Sequence, residues 1–202
     1  MQLTKFGHAC VRLERDGRVL VIDPGIYSDP QALTDAEAVL VTHEHFDHVD
    51  RLRLAGFGVP VHAPAGASIP GLEFRPLSVG DELEVAGFHV RTVGGRHAAI
   101  LDDQPDVAAN LGYVIDERLY HPGDALDLPG ATIETLLVPT MAPWLATRDA
   151  IAFVRAVGAR RAFPIHDALL NELGQASVDR WLGAQAPGEY RRIRSGESVD
   201  LG

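Results

Sequence analysis

The chain has 202 residues, 46% of them hydrophobic, which is enough to enclose a core, and we expect one domain covering residues 1–202. A formal net charge of −10 argues against nucleic acid as a partner, because phosphate contacts need clustered lysine and arginine. The longest apolar runs have the length of strands, and the first residues lack the pattern of a secretory signal, so we expect no membrane partner. We therefore predict a cytoplasmic protein that acts on a small molecule, either alone or as an oligomer of identical chains.

The single cysteine, Cys10, cannot form a disulfide within the chain, which fits a reducing cytoplasm. It lies inside an apolar strand pattern, and cysteine is among the residue types most often buried. We predict that Cys10 belongs to the core and is not a nucleophile. The chain also lacks a Gly-x-Ser-x-Gly motif, so nothing indicates a covalent serine or cysteine mechanism.

In the first half of the chain, short turns join the predicted strands. Asp16-Gly17 is a dipeptide typical of a two-residue hairpin turn, and a second hairpin turns at Ala86-Gly87. The strand that precedes the first histidine cluster is rich in β-branched residues and has the pattern of a buried strand. The strands of this half are expected at residues 9–14, 18–23, 36–42 and 82–94.

In the second half, strands alternate with helices. Apolar residues at helical spacing predict helices over residues 147–159 and 177–185, with Ser177 as the N-cap of the second. Many strands early and strand–helix alternation late are typical of sheets covered by helices. Strands are expected at residues 110–116, 118–123, 132–139 and 161–166.

Histidine and aspartate residues follow several of these strands directly. The stretch THEHFDH places four of them after the strand 36–42, and three more follow later strands. Since loops at one end of neighbouring strands can converge, we expect the seven side chains to meet. These residues are His43, His45, Asp47, His48, His97, Asp124 and His166.

The residue types in this set suit divalent cations. Three neutral imidazoles are typical ligands of zinc, whereas a carboxylate with imidazoles suits a second, harder site. Side chains at the spacing of the THEHFDH stretch cannot all face one point, but they can face two neighbouring points. By chance, His-x-His-x-Asp-His is expected in about one in a thousand chains of this composition. The sequence therefore predicts two metal ions, with zinc expected first and manganese or iron as alternatives.

The THEHFDH stretch resembles the signature loop of the metallo-β-lactamase superfamily. Three further stretches, GHACVRLERDGRVLVIDPG, YHPGDA and PIHDA, resemble the compact metal-dependent hydrolases related to L-ascorbate-6-phosphate lactonase. The resemblance covers about Leu3 to Leu170. It implies an α/β fold, a four-layer αββα metallo-β-lactamase sandwich with two face-to-face sheets, helices outside and the metals at one edge.

The resemblance also implies a division of the ligands between two metals. His43, His45 and His97 would bind the first, and Asp124 would bridge both. Asp47, His48 and His166 would bind the second. His121 in YHPGD competes with His97, but the family has a histidine after the strand that precedes His97, so we expect His97 to be the ligand.

The other histidines have weaker patterns. His62 lies on a short strand between prolines and is expected to be structural or exposed. His89 alternates with apolar residues in a hairpin, so it should point away from the core. His8 could orient a metal ligand or face the substrate. Asp23 could steady the metal loop or only shape its Asp-Pro-Gly turn.

The expected mechanism is hydrolysis by a hydroxide that bridges two cations, since such a water has a much lowered pKa. The hydroxide would attack a carbonyl or phosphoryl centre of a small ester, lactone or phosphodiester. The expected catalytic residues are Asp47 and Asp124, which offset the metal charge, and His8. The general acid is open between His8, His121 and Asp167.

Substrate contacts are less defined. Arg96 and Arg148 could receive an anion or lie on the surface. Two segments are candidates for walls of the site: the acidic loop 101–110, and residues 139–147 with the apolar side chains of Met141 and Trp144.

Three alternatives to a small-molecule hydrolase stay open. One is a metal-binding or sensing protein without activity, and another is a nuclease of the same superfamily, against which the acidic composition argues. A redox diiron protein is disfavoured because such relatives have glutamate where this chain has His45.

Overall fold

The computed structural model describes residues 1–101, 103 and 107–202. Its strands divide into two seven-stranded sheets within the described residues. In chain order they are β1 Gln2–Lys5, β2 Val11–Arg15, β3 Arg18–Ile22, β4 Ala38–Leu40, β5 Val61–Pro64, β6 Arg75–Leu77, β7 Glu82–Val85, β8 Phe88–Gly94, β9 Leu111–Ile115, β10 Leu119–His121, β11 Thr135–Pro139, β12 Arg161–Ile165, β13 Glu189–Tyr190 and β14 Ser198–Asp200. The helices are a 3-10 helix at Pro30–Leu33 and the α-helices α1 Arg51–Ala55, α2 Thr147–Val157 and α3 Glu172–Gln185.

Both sheets are mixed. The first has the order β14-β1-β2-β3-β4-β5-β6, antiparallel from β14 to β3 and parallel from β3 to β6. The second has the order β13-β12-β11-β10-β9-β8-β7, antiparallel from β7 to β10 and parallel from β10 to β13. Parallel strands end at the same edge of a sheet, and ligands bind outside such carboxyl ends.

The core lies between the two sheets. Leu13 and Leu40 of the first sheet share one cluster of buried residues with Phe88, Tyr113 and Phe163 of the second. On its outer face the first sheet packs against the 3-10 helix and α1, and the second against α2 and α3. The layers are therefore helix, sheet, sheet, helix, which confirms the predicted αββα sandwich.

The predicted hairpin turns are present. Asp16 and Gly17 both have positive φ, 52° and 76°, and Ala86 and Gly87 have φ of 49° and 76°. This is the pattern of a turn whose twist matches that of the flanking strands. Cys10 is fully buried against the outer face of the first sheet, which confirms its predicted place in the core.

The second long helix begins earlier than predicted. Asn171 is the N-cap of α3, and its side chain accepts a hydrogen bond from the backbone N–H of Gly174 at 2.9 Å. The prediction that Ser177 caps the helix was therefore wrong, since Ser177 lies inside it. The apolar spacing starts late because only Val178 and Leu182 are buried, and the first turn of the helix faces solvent.

Short strands at or next to the edges of the sheets also escaped prediction. The strands β1, β6, β13 and β14 have two to four residues, too few to show a periodic pattern. No helix among the described residues is long and apolar enough to cross a membrane.

Candidate metal centre

Asp23 holds the start of the histidine loop. It follows β3, and its fully buried carboxylate accepts the backbone N–H and the hydroxyl of Thr42, both at 2.7 Å. The same carboxylate accepts Nδ1–H of His48 at 2.6 Å, so Nε2 of His48 faces the site. Asp23 therefore steadies the loop, one of the two roles that its motif left open.

The loop packs against the turn that follows Asp23. The N–H of Asp50 donates to the carbonyl of Pro24 at 3.0 Å, and the N–H of Ile26 donates to Phe46 at 3.0 Å. A Cβ atom at Gly25 would lie 1.9 Å from the carbonyl oxygen of Asp47, which no side chain tolerates. The glycine in the Asp-Pro-Gly turn is thus required by the close approach of the two backbones.

His43, His45 and His97 form the first group of ligand atoms. Their ring centroids are 4.6 to 4.8 Å apart. Nδ1 of His97 donates to the carbonyl of Ala98 at 2.6 Å, and Nδ1 of His43 lies 3.1 Å from the Thr42 hydroxyl. In both histidines Nδ1 has a partner, which leaves Nε2 as the atom that can bind a metal.

The second group contains Asp47, His48 and His166, with Asp124 beside it. Oδ1 of Asp124 lies 3.1 Å from Nε2 of His48. Oδ2 of Asp124 lies 3.0 Å from Nε2 of His166 and 3.4 Å from Nε2 of His97, so this carboxylate reaches both groups. Oδ2 of Asp47 lies 3.4 Å from Nε2 of His166, whose Nδ1 donates to the carbonyl of Met141. The structure thus brings all seven predicted residues together.

Several buried polar atoms of this cluster make no hydrogen bond of regular geometry, even where another polar atom lies 3.0–3.1 Å away. They are Nε2 of His43, His48 and His166, and Oδ1 of Asp124. A buried polar atom without a partner costs about 1–3 kcal/mol, and such atoms are rare in folded proteins. These four atoms belong to overlapping groups of ligand atoms that lie within 4.8 Å of one another, and with the imidazoles oriented through Nδ1 they fit one or more bound cations.

The electrostatics of the cluster agree with a cation site. Burial lowers the pKa of His43 well below its usual value, so this imidazole is neutral, as a ligand must be. Burial also lowers the pKa of His166, but the nearby carboxylates of Asp124 and Asp47 outweigh it and raise the pKa to about 9. Burial favours a protonated Asp124, yet the nearby histidines outweigh it and hold its pKa well below the usual range. Positive charge is therefore favoured beside these carboxylates.

His8 contacts this cluster from the side of the second group. Its Nδ1 accepts the backbone N–H of Ala168 at 3.3 Å, so Nε2 carries the proton and donates to Oδ2 of Asp47 at 3.1 Å. Its ring lies 4.0 Å from that of His166, centroid to centroid. His8 is buried and has a positive φ of 47°, a conformation that side chains rarely adopt.

His121 does not face the cluster. Its Nε2 donates to the carbonyl of Ala9 at 2.9 Å, and its Nδ1 accepts the N–H of Gly123 at 3.1 Å. With both nitrogens engaged, His121 has no free atom for a metal or for proton transfer. Asp167, the third acid candidate, is bonded to Lys5 at 2.7 Å and to Arg192.

Of the two predicted walls, residues 139–147 contribute a polar contact that the sequence did not predict. Nε1 of Trp144 donates to Oδ2 of Asp124 at 3.2 Å, whereas we expected Trp144 to offer only an apolar surface.

In the loop 101–110, the other predicted wall, residues 102 and 104–106 lie outside the described residues. Ala108 accepts the N–H of His97 at 2.9 Å, so the end of this loop supports His97.

The remaining candidates lie outside the cluster. His62 is buried on β5 and is structural. His89 is partly exposed and lies 3.8 Å from Glu82 on the neighbouring strand, pointing away from the core. Arg96 is exposed, and the exposed Arg148 lies beside Asp149 at the start of α2.

Thr42 and Asn110 are supporting residues that sequence reasoning missed. Asn110 is fully buried, and its Oδ1 accepts the backbone N–H of Asp124 at 3.0 Å. The position of Thr42 directly before the first histidine was a signal for its role, whereas Asn110 had none, because its contact with the loop of Asp124 is made only in the folded chain.

The fold and the cluster define a class of protein: an αββα sandwich with a His/Asp metal centre where strands of both sheets end. A family model described as a beta-lactamase superfamily domain matches residues 2–166. Protein Rv0786c of Mycobacterium tuberculosis is 40% identical over 182 residues, which are 84% of this chain and 85% of that protein. A UPF0173 metal-dependent hydrolase of Methanoregula boonei is 30% identical over 188 residues, 82% of each chain.

A solved structure has the same fold. Igni18, a metallo hydrolase from the archaeon Ignicoccus hospitalis, matches with a TM-score of 0.73 at 19% sequence identity, over 98% of this chain and 97% of that one. The protein belongs to the metallo-β-lactamase superfamily and, within it, to the UPF0173 metal-dependent hydrolase family.

Proposed function

We propose that this protein is a hydrolase that binds two divalent cations per chain and cleaves a small ester, lactone or phosphodiester. The observation that carries the proposal is the convergence of buried ligand atoms that make no hydrogen bond of regular geometry in a cluster of His and Asp side chains. The relative from Methanoregula boonei, named a metal-dependent hydrolase, supports the same activity. Lactones are included among the substrates because several motifs resemble metal-dependent hydrolases related to L-ascorbate-6-phosphate lactonase.

The two groups of ligand atoms support a two-metal arrangement. His43, His45 and His97 are assigned to one cation, since their ligand atoms all lie within 4.8 Å of one another. Asp47, His48 and His166 are assigned to the other. Asp124 is assigned to both because its two oxygens face different histidines. Zinc is the first expectation for the imidazole-rich group, with manganese or iron as alternatives.

When bound, such cations acidify water and polarise the oxygen that gains charge during hydrolysis. For an ester, the oxygen of water forms a bond to the acyl carbon, the acyl C–O bond breaks, and one proton passes to the leaving alkoxide. Asp47 and Asp124 supply the negative charge that balances the cations. Trp144 holds Asp124 in place through a hydrogen bond.

His8 is assigned a role through Asp47. Its Nε2–H donates to Asp47, while Ala168 fixes the tautomer by donating to Nδ1. Nε2–H of His8 contacts Asp47, an assigned ligand, whereas His121 bonds to backbone groups and Asp167 is paired with Lys5 and Arg192, so His8 is assigned as the candidate for moving a proton. In the cell, a reduced buried cysteine is compatible with a cytoplasmic location.

The test is the metal content of protein purified without chelator, by elemental mass spectrometry, with hydrolysis of bis-p-nitrophenyl phosphate, an aryl ester and a simple lactone. About two metals per chain with turnover of any substrate supports the proposal, and the substrate cleaved selects the ester class. Less than half a metal per chain after reloading contradicts the ligand assignment. Two metals without turnover of any of the substrates contradicts the hydrolase.

A further inference from the structure

A cleft of about 410 Å³ opens beside the candidate metal centre. His45, one of the assigned ligands, is part of its lining, together with the Ile26 turn and helix α1. Three large apolar side chains of the lining face solvent: Ile26, Phe46 and Leu52 are 49%, 60% and 76% exposed. A group of exposed apolar side chains around a concave surface marks a binding site.

The cleft continues inward on apolar atoms. Val49 and Ile69 also line it, and both are buried in the cluster on the outer face of the first sheet. The apolar lining thus runs from solvent to the core. A volume of this size lies within the range of about 300–1,000 Å³ that is usual for sites of small molecules.

The charged side chains of the lining are engaged in the wall itself. Glu44 accepts the backbone N–H of Ser68, and Nη1 of Arg51 donates to the carbonyl of Pro70 at 3.0 Å. Asp50 caps helix α1 by accepting a backbone N–H at 3.1 Å. Glu44 and Arg51 keep their charges, so the case for an uncharged occupant rests on the apolar side chains that make up much of the lining.

We propose that this cleft binds an apolar, uncharged acyl chain of the substrate, so that the substrates are carboxylic esters with an alkyl or aryl acyl group. The inference rests on the proposed function, because it places the scissile bond at the centre that His45 shares with the cleft. A small-molecule arm fits better than a protein partner, since the surface is concave and adjoins the reacting position.

The experiment compares p-nitrophenyl esters from acetate to octanoate with the metal-replete protein. The leaving group is constant in this series, so only the acyl chain changes. Burial of a methylene in the cleft should raise kcat/KM by about two- to four-fold for each added carbon. The gain should stop when the chain exceeds the length of the cleft.

Variants at Leu52 test whether the rise of kcat/KM with acyl chain length arises in this cleft. Leu52→Trp should fill the cleft and remove the gain beyond butanoate, while Leu52→Ala should reduce the gain per carbon by half or more. For each variant, turnover of the acetate is the reference, and the ratio of kcat/KM for octanoate to that for acetate is the quantity compared. Leu173→Ala is the matched control, since Leu173 is 81% exposed on α3, which packs on the other sheet. It should keep the wild-type chain-length dependence.

A binding measurement separates the cleft from the chemistry. Ligand-observed NMR with 1-hexanol should detect binding to the metal-free wild type and to Leu173→Ala, and not to Leu52→Trp. If kcat/KM does not rise with acyl chain length, or rises equally in all variants, the proposal that the cleft binds the acyl chain is overturned. If no ester is cleaved, the hydrolase proposal fails for esters, and the binding of hexanol alone then tests whether the cleft takes an apolar chain. Loss of hexanol binding in Leu52→Trp supports this role of the cleft. Hexanol binding that is unchanged in Leu52→Trp, or undetected in the wild type, overturns it.

Discussion

Asp23 shows how a residue outside the assigned ligand set holds that set in place. Its carboxylate bonds both Thr42 and Nδ1 of His48 in a fully buried position. Because one nitrogen of His48 is engaged in this way, the other must face the cluster. His8 and Trp144 act similarly on Asp47 and Asp124. The orientation of the ligands is therefore built into the chain before any cation binds.

Asp124 is the residue at which the two groups of ligands meet. Replacing it with alanine removes the carboxylate that reaches three histidines, so we expect Asp124→Ala to lose at least one metal per chain and to lower kcat/KM by three orders of magnitude or more. Elemental mass spectrometry and ester hydrolysis measure both effects.

His62→Ala serves as the comparison for Asp124→Ala. His62 is buried on β5 and is not part of the ligand groups that the described residues form, so this variant should keep its metal content. Wild-type activity in Asp124→Ala would refute its assignment to both cations. Loss of metal in His62→Ala would show that the histidines were ranked wrongly.

At the scale of elements, the histidine loop depends on the turn after β3. The loop and the turn exchange backbone hydrogen bonds, and the two backbones touch at Gly25. Strands β3 and β4 are parallel neighbours, so the turn after one and the loop after the other leave the sheet at the same edge. The turn thus shapes the metal loop without contributing a ligand.

Gly25→Ala tests this contact. Its Cβ would lie 1.9 Å from the Asp47 carbonyl, so the loop must shift, and we expect a clear loss of bound metal together with a lower Tm. Gly56→Ala is the control, because its Cβ would meet nothing closer than 3.8 Å and its φ of −90° suits alanine. The control should bind metal like the wild type. Normal metal content in Gly25→Ala would contradict the role of the turn.

The start of α3 provides a second test at this scale. Asn171→Ala removes the cap of the helix and should cost about 1 kcal/mol, which for a chain of this size lowers the Tm by about 2–4 °C. Ser177 lies inside the helix and is exposed, so Ser177→Ala should keep or slightly raise the Tm. Thermal unfolding followed by circular dichroism compares the two. The reverse order of the two Tm values would contradict the helix start at Glu172.

At the scale of the whole molecule, the candidate centre joins the two halves of the sandwich. His43, His45, Asp47 and His48 belong to the first sheet's loops, whereas His97, Asp124 and His166 follow strands of the second. A cation held by both sets would therefore connect the sheets at one edge. Ligands that bind only the folded state stabilise it by mass action.

Removal of metal should consequently lower global stability. With free metal at 100 times Kd, binding adds about 2.7 kcal/mol, so chelation should lower the Tm by about 5 °C or more. Binding should also release protons, because the raised pKa of His166, about 9, means that it is protonated at neutral pH in the metal-free protein.

The pH dependence has a definite sign. Metal affinity should rise as the pH is raised towards 9, since fewer protons then compete for His166. Titration calorimetry in buffers of different ionisation enthalpy measures the released protons.

The chelation experiment has its own contradicting outcome: a Tm that is the same with and without chelator would contradict a cation joining the two sheets.

Local sequence determined much of this protein. The hairpin turns at Asp16-Gly17 and Ala86-Gly87 and the buried Cys10 follow from turn chemistry and hydrophobic pattern, which act over a few neighbouring residues, whereas the αββα layers were implied by the family resemblance. The seven candidate ligands were also recognisable, because each follows a strand and the first four are close in sequence.

Only the tertiary structure decided the contacts made over long sequence distances. The ring nitrogens of His121 are taken by Ala9 and Gly123, whereas those of His97 leave Nε2 facing Asp124, a difference that no local pattern encodes. The short strands β1, β6, β13 and β14 were likewise decided by pairing with other segments, whereas the start of α3 is set by the local cap of Asn171, which the apolar spacing did not reveal. The physical reason is that hydrogen bonds and burial depend on which atoms meet in space, and the two sheets bring together residues more than 100 positions apart.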